Sequence, residues 1–157
     1  MSACRIRPAR VEEAEALSEI CARSKASWGY ESAFMALVRP ALAVGREEIA
    51  RGDVWVAVNA GGITGVVALA PGEPSGTLDL DKLFVRPGDL RRGVGRMLLA
   101  HAIAEARRRG ATRLTVLADP NAAGFYEREG AGRVGDAPSE AVPGRFLPLY
   151  EISLAGR

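Results

Sequence analysis

The chain has 157 residues, 48% of them hydrophobic and 25% charged, which excludes a disordered chain and suits one soluble domain, residues 1–157, with a full core. Its 21 basic and 19 acidic residues leave a net charge of only +2, so a binder of extended nucleic acid, which needs basic charge spread over its surface, is not expected. Two cysteines, Cys4 and Cys21, with no histidine near them, exclude a disulfide framework and a zinc site and suit idle thiols in a reducing cytosol.

No signal-like apolar stretch opens the chain, and no run approaches the ~18 apolar residues that span a bilayer. The expectation is a cytoplasmic protein with no membrane partner, homodimerisation being left open. Residues 4–9 alternate and end at Pro8, as a short strand would. Over 11–24, Val11, Ala14, Leu17, Ile20 and Cys21 fall on one face and predict a helix. Trp28-Gly29-Tyr30 breaks that period before a second predicted helix over 32–42. Aromatics so placed serve either as packed wedges or as a cover over a pocket. Residues 45–51 read as the end of a helix and a turn.

Residues 53–59 are strand-like, with β-branched residues in alternation. Ala60-Gly61-Gly62 signals a hairpin, 63–70 is the return strand, 71–76 a second turn and 77–85 a third strand. Three antiparallel strands thus lead into the stretch around which the chain is organised, 83–110. There an apolar strand stops at Pro87-Gly88 and passes through Leu90-Arg91-Arg92-Gly93-Val94-Gly95-Arg96 into a helix over 95–109. That helix carries an apolar stripe at Leu99, Ala102, Ile103 and Ala106. Glycines 93 and 95 let a ligand approach the backbone, and the first helical N–H groups and the helix dipole favour an anion, most naturally a phosphate.

Charge agrees. Between Arg86 and Arg113 lie eight arginines and two acids, Asp89 and Glu105, a local +6 in a chain of +2; a field so focused steers an anion to one place. Arg107, Arg108, Arg109 and Arg113, at or beyond the helix end, suit the dipole as solvated surface. Arg91, Arg92 and Arg96 oppose it at the start and cost stability unless an anion arrives. The lone histidine, His101, has Glu105 one helical turn on and reads as half of a surface pair.

A short apolar strand follows over 113–118, parallel to the third by a right-handed crossover. Asp119-Pro120-Asn121 then opens a short helix over 122–129, with Asp119 or Asn121 as cap. Residues 131–144 read as irregular loop and 145–154 as a last strand, where Pro148 argues for an edge or a bulge. The other phosphate-binding motifs fail: there is no Gly-Lys-Ser/Thr, and Leu98 occupies the third glycine of a dinucleotide fingerprint.

The order of elements, with Leu83-Phe84-Val85-Arg86-Pro87 before the glycine-rich turn and Asn121-Ala122-Ala123-Gly124-Phe125-Tyr126 after the parallel strand, resembles the GCN5-related N-acetyltransferase (GNAT) family over nearly the whole chain. The resemblance implies an α/β (α+β) fold: a mixed, mostly antiparallel sheet of six to seven strands, about four helices on both faces and a central parallel pair. It also implies acetyl-CoA as cosubstrate, its diphosphate on Leu90, Arg91, Arg92, Gly93, Val94, Gly95 and Arg96, and its thioester along Leu83, Phe84 and Val85. A backbone N–H at Phe84 or Val85 would polarise the acetyl carbonyl, and Tyr126, beside Phe125, would be the general acid.

There are departures. Leu90 stands where the family usually has Gln or Arg, and Arg91 where Gly is frequent, so which arginine meets which phosphate is open. Asp119 takes the place of the family's Asn; the amide contact to the pantetheine arm falls to Asn121 or is lost. Asp81, one strand period from Leu83, is the candidate base. Trp28, Tyr30 and the loop 139–145 are expected to select the acceptor. The reading is transfer of acetyl from acetyl-CoA to a primary amine of a small molecule, by direct attack in a ternary complex. A CoA-binding module without turnover, and an acetyltransferase of protein or peptide amines, are the alternatives.

Overall fold

A computed structural model describes residues 4–89 and 93–155. In chain order the elements are β1 (Arg5–Pro8), α1 (Ala14–Ala26), α2 (Ser32–Leu42), α3 (Arg46–Ala50), β2 (Val54–Asn59), β3 (Gly62–Pro71), β4 (Thr77–Val85), α4 (Val94–Arg108), β5 (Arg113–Leu117), α5 (Ala123–Arg128), β6 (Gly132–Pro138) and β7 (Phe146–Ser153). One seven-stranded sheet runs β1-β2-β3-β4-β5-β7-β6. Only β4 and β5 are parallel, joined by α4; every other pair is antiparallel. No helix among the described residues is long and apolar enough to cross a membrane.

Strand alternation builds two cores. Val54, Val56, Val58, Val66 and Ala68 turn to one face, where they meet Leu17 and Cys21 of α1 and Met35, Val38 and Leu42 of α2. Trp55, Ala57, Val67 and Leu69 turn to the other, against Leu98, Leu99, Ala102 and Ala106 of α4 and Tyr126 of α5. The alternation in β2 and the stripe of α4 are the signals that predicted this, and both faces fill because the sheet has apolar residues to offer each.

Four local features differ from the sequence reading. Residues 46–50 form a short helix of their own, α3, with Glu48 Oε1 accepting from the Gly45 N–H at 2.6 Å. Residues 132–138, expected as loop, form the edge strand β6; its side chains are mostly exposed, so no apolar alternation marks it. Pro148 stands in the interior strand β7, not on an edge. Its carbonyl accepts from Ala118, one residue past the end of β5, so its missing N–H forgoes only the reciprocal bond to Ala118, beyond the last paired residue of that strand. His101 does not pair with Glu105: its ring packs 5.2 Å from Trp55, and Glu105 is taken by Arg108 and Arg109.

α4 lies close on the sheet at Gly65. A β-carbon there would come within 2.8 Å of Leu98 Cδ1, 3.0 Å of the Phe84 carbonyl oxygen and 3.2 Å of Val94 Cγ1. Gly65→Ala is therefore expected to destabilise the fold by about 1–3 kcal/mol, the usual cost of overpacking. Denaturant unfolding would show it as a lower midpoint at unchanged slope.

Candidate active site

β4 and β5 pair at three positions only, Thr77–Arg113, Leu78–Leu114 and Asp79–Thr115. The Thr115 hydroxyl donates to the Asp79 carboxylate at the last rung. Just beyond, β4 carries a bulge: Leu80 faces Leu69 and Lys82 faces Ala68, leaving Asp81 as the extra residue. The strands part there, and a cleft of about 870 Å³ opens between them, within the usual size of a small-molecule site.

Main-chain groups line one wall. The Arg86 N–H donates to the Thr64 carbonyl at 2.7 Å, which makes these two a hydrogen-bonded pair. By the alternation of an antiparallel ladder, Phe84 also turns its N–H and C=O to β3, whereas Leu83 and Val85 turn theirs to the opening. The side chains divide too: Leu83 and Val85 pack with the α4 core, Phe84 with the α1–α2 core.

The start of α4 lies at the same cleft. Gly93 takes φ 78° and caps the helix without a side-chain acceptor, so among the described residues the leading N–H groups are open to a ligand. Gly93, Gly95 and Arg96 line the cleft, and the Phe125 ring lies 3.5 Å from where a Gly95 β-carbon would be. Val94 is buried in the core beneath. Leu90, Arg91 and Arg92 lie outside the described residues.

The arginines of this stretch divide by partner. Arg86 is held by buried Asp89 at 2.6 Å, Arg108 and Arg109 by Glu105, and Arg113 by Glu151 at 3.3 Å. The far end of α4 is about 22 Å from its start at 1.5 Å per residue, too far to serve a ligand there. Arg96 is exposed and only 3.4 Å from Glu129. Arg128, which the sequence reading did not single out, lines the cleft as well.

Tyr126 is buried, its ring 5.1 Å from Phe125 and edge-on to it. Its hydroxyl bonds to no described residue, yet it is not among the sealed polar atoms, where only His101 Nε2 stands; Tyr126 lines the cleft. Burial pushes the phenol's pKa well above its ordinary value. Asp81 lies across the opening as an exposed carboxylate, 2.6 Å from the ammonium of buried Lys82, which also has Glu48 at 3.7 Å. Cys21, behind Lys82, is pushed up to about 12 by burial and is inert as a nucleophile.

The acceptor side holds a polar network. Lys25 Nζ meets Asp119 Oδ2 at 2.7 Å, the Tyr30 hydroxyl donates to the same oxygen at 2.9 Å, and the Asn121 amide donates to Tyr30 at 3.2 Å. Arg145 donates to Tyr30 at 2.9 Å. Asp119 also caps the turn before α5 by accepting from the Asn121 N–H, so of the two residues weighed for a ligand contact it is Asn121 that lies exposed on the cleft. Tyr30 stacks on Phe34 at 4.3 Å and stands behind the residues that line the cleft, which it does not join, while Trp28 is exposed and lines it. The sequence reading drew no function from Lys25, whose one signal is that it and Lys82 are the chain's only lysines.

This arrangement suits an elongated ligand with an anionic end: open helix N–H groups for the anion, a strand edge for an amide-bearing arm, and a phenol at the inner end. Among the described residues no group of three His, Cys, Asp or Glu side chains could hold a metal ion.

The family model of the GNAT acetyltransferase domain matches residues 50–130, from α3 to the end of α5. No curated protein matches the sequence. Among solved structures, the PaiA N-acetyltransferase of Thermoplasma acidophilum in complex with coenzyme A is similar at 17% identity and TM-score 0.77, over 96% of this chain and 99% of that one. A GCN5-related N-acetyltransferase from Rhodopseudomonas palustris is 26% identical, TM-score 0.77, over 98% and 97%. YjaB of Escherichia coli in its apo form is 26% identical, TM-score 0.68, over 99% of both chains.

The Lys25–Asp119 pair yields a test of the site's frame. Burial raises the Asp119 pKa, but Lys25, the Asn121 N–H and Tyr30 outweigh it and hold the carboxyl below its ordinary value. A carboxyl depressed on folding stabilises fully above its unfolded pKa of about 3.9 and loses that contribution as pH falls through the folded value. Asp119→Asn should cost about 2 kcal/mol near pH 7, below the ~3–5 kcal/mol of a fully buried pair because solvent reaches both groups. The gap to wild type should narrow below about pH 4; melts at a series of pH values would measure it.

Proposed function

Because this chain belongs to the GNAT acetyltransferase family, we propose that it transfers the acetyl group of acetyl-CoA to the primary amine of a small molecule, by direct attack with both substrates bound. The observation that carries the reading is the opening between β4 and β5, with an uncapped helix start on its rim and Tyr126 in its lining.

The diphosphate is held by the leading N–H groups of α4, with Arg96 and Arg128 adding charge at the rim. The pantetheine arm extends β4 as a strand would, taking the main-chain groups of Leu83 and Val85. One of these N–H groups polarises the acetyl carbonyl, an interaction worth ~2.7–4 kcal/mol when preorganised; Phe84, turned to β3, contributes packing. Asn121 and Phe125 flank the arm. The amine nitrogen bonds to the carbonyl carbon, the carbon–sulfur bond breaks, and the nitrogen's proton leaves by way of Asp81 through water.

Tyr126 serves the departing sulfur. Its raised pKa keeps the phenol protonated at any working pH. Complete transfer to a thiolate whose acid has a pKa near ~8.5 is then uphill. A hydrogen bond to the developing thiolate needs no complete transfer, and that is the role assigned here.

Acetyl-CoA-dependent thiol release with a panel of amines tests the reading. Tyr126→Phe should lower kcat by about 10²-fold or more and leave the KM for acetyl-CoA within about twofold, since the lost interaction belongs to the transition state. An unchanged kcat on a good acceptor would remove Tyr126 from the chemistry. Absence of turnover with every amine, with coenzyme A still bound, would leave a binding module instead.

A further inference from the structure

Three cations line the part of the cleft away from α4: Lys25, Lys82 and Arg145. Two are neutralised, Lys25 by Asp119 at 2.7 Å and Lys82 by Asp81 at 2.6 Å. Arg145 has no carboxylate partner among the described residues. Its one side-chain hydrogen bond goes to the Tyr30 hydroxyl at 2.9 Å. A guanidinium has five N–H donors in a planar fork, so this bond orients the group and leaves most of the fork unused.

The group is also held in place. Its central carbon lies 4.8 Å from the Phe34 ring centroid and 5.4 Å from that of Tyr30, and those rings stack on each other. The loop that carries it is pinched at its neck: the Ser139 N–H donates to the Arg145 carbonyl at 2.7 Å, and the Ser139 hydroxyl accepts from Ala141 and Val142. Tyr30 in turn is tied to Asp119 and Asn121. A fixed, partly desolvated cation without a counter-ion is costly unless an anion completes it, and a planar fork fits a carboxylate with two parallel bonds.

We infer that the acceptor carries a carboxylate beside its reactive amine, and that Arg145, aimed by Tyr30 and backed by Phe34, receives that carboxylate. This rests on the acetyltransferase reading above and narrows its acceptor to amino acids and related amino carboxylates. Asp81 and Glu140 line the cleft too, which suits a zwitterion better than a dianion. Trp28, exposed on the same cleft, offers an apolar surface to the acceptor's side chain.

The test uses matched pairs at saturating acetyl-CoA: each α-amino acid against its own amide. Wild type should favour acid over amide in kcat/KM by roughly tenfold or more, as a charge-assisted pair implies. Arg145→Gln should raise the KM for acids roughly 10- to 100-fold and leave the amides and the KM for acetyl-CoA unchanged. Arg145→Lys, which keeps the charge without the fork, should fall between, and it carries the test alone if the Gln variant unfolds. Equal use of acid and amide by wild type overturns the inference while leaving acetyl transfer standing. So does an Arg145 variant that moves only the KM for acetyl-CoA, which would assign the cation to the nucleotide. If no amine is turned over, calorimetric titration of the CoA-saturated protein with the same pairs separates the two ideas. Acid-selective binding lost in Arg145→Gln upholds the carboxylate site and sinks the transfer; binding without acid selectivity sinks the site.

Discussion

The separation of β4 from β5 after Asp79–Thr115 is the constraint on which the rest of the molecule depends. A parallel pair inside a sheet normally keeps its ladder, because a buried N–H or C=O without a partner costs about as much as a lost hydrogen bond. Here the ladder stops after three rungs, and the main-chain groups of Leu83 and Val85 are left to water or a ligand. Each lip has its own support. β4 stays bonded to β3 across the bulge at Asp81, and α4 packs closely on β3 at Gly65. β5 stays bonded to β7 along its whole length, and Lys25 ties its end, through Asp119, to α1.

The two lysines show how charge is used inside such a structure. Both are buried, both lie on the cleft and both are paired, whereas every other basic side chain in the chain is arginine. A compact ammonium on a flexible stem can enter a crevice between elements; a guanidinium needs a flat, wider seat. Buried pairs of this kind add little net stability, since desolvation offsets most of the attraction. What they supply is position: Lys25 joins α1 to the turn before α5, and Lys82 joins the β4 bulge to α3 through Glu48. Arg145 breaks the pattern by being held with no acid opposite among the described residues.

Much of this architecture was legible in the chain. The alternation of β2 and β3, the stripe of α4 and the Gly93–Gly95 turn are consequences of local periodicity and backbone freedom, which a sequence displays directly. Resemblance added what periodicity could not, the role proposed for Tyr126 and the course proposed for a thioester along β4. The point where β4 leaves β5 was not legible, because nothing in Leu80–Val85 distinguishes a paired strand edge from an open one. The bulge that turns the main-chain groups of Leu83 and Val85, and not those of Phe84, to the cleft is likewise a matter of register. β6 escaped notice because an exposed edge strand needs no apolar face. Arg86 was counted among the cations for an anion, but only the folded turn brings Asp89 against it.

The division of labour between rigid and variable parts follows from the same geometry. The groups assigned to the thioester sit on a strand edge, a helix start and a buried ring, all anchored in one core. Those assigned to the acceptor sit on the α1–α2 connection and the loop between β6 and β7, joined through the Tyr30 hydroxyl to Arg145, Asp119 and Asn121. Tyr30 is therefore where the two loops meet the turn that leads to Tyr126. The two loops and the turn before α5 therefore share one hydrogen-bonded centre at the Tyr30 hydroxyl, separate from the core that anchors the strand edge and the helix start.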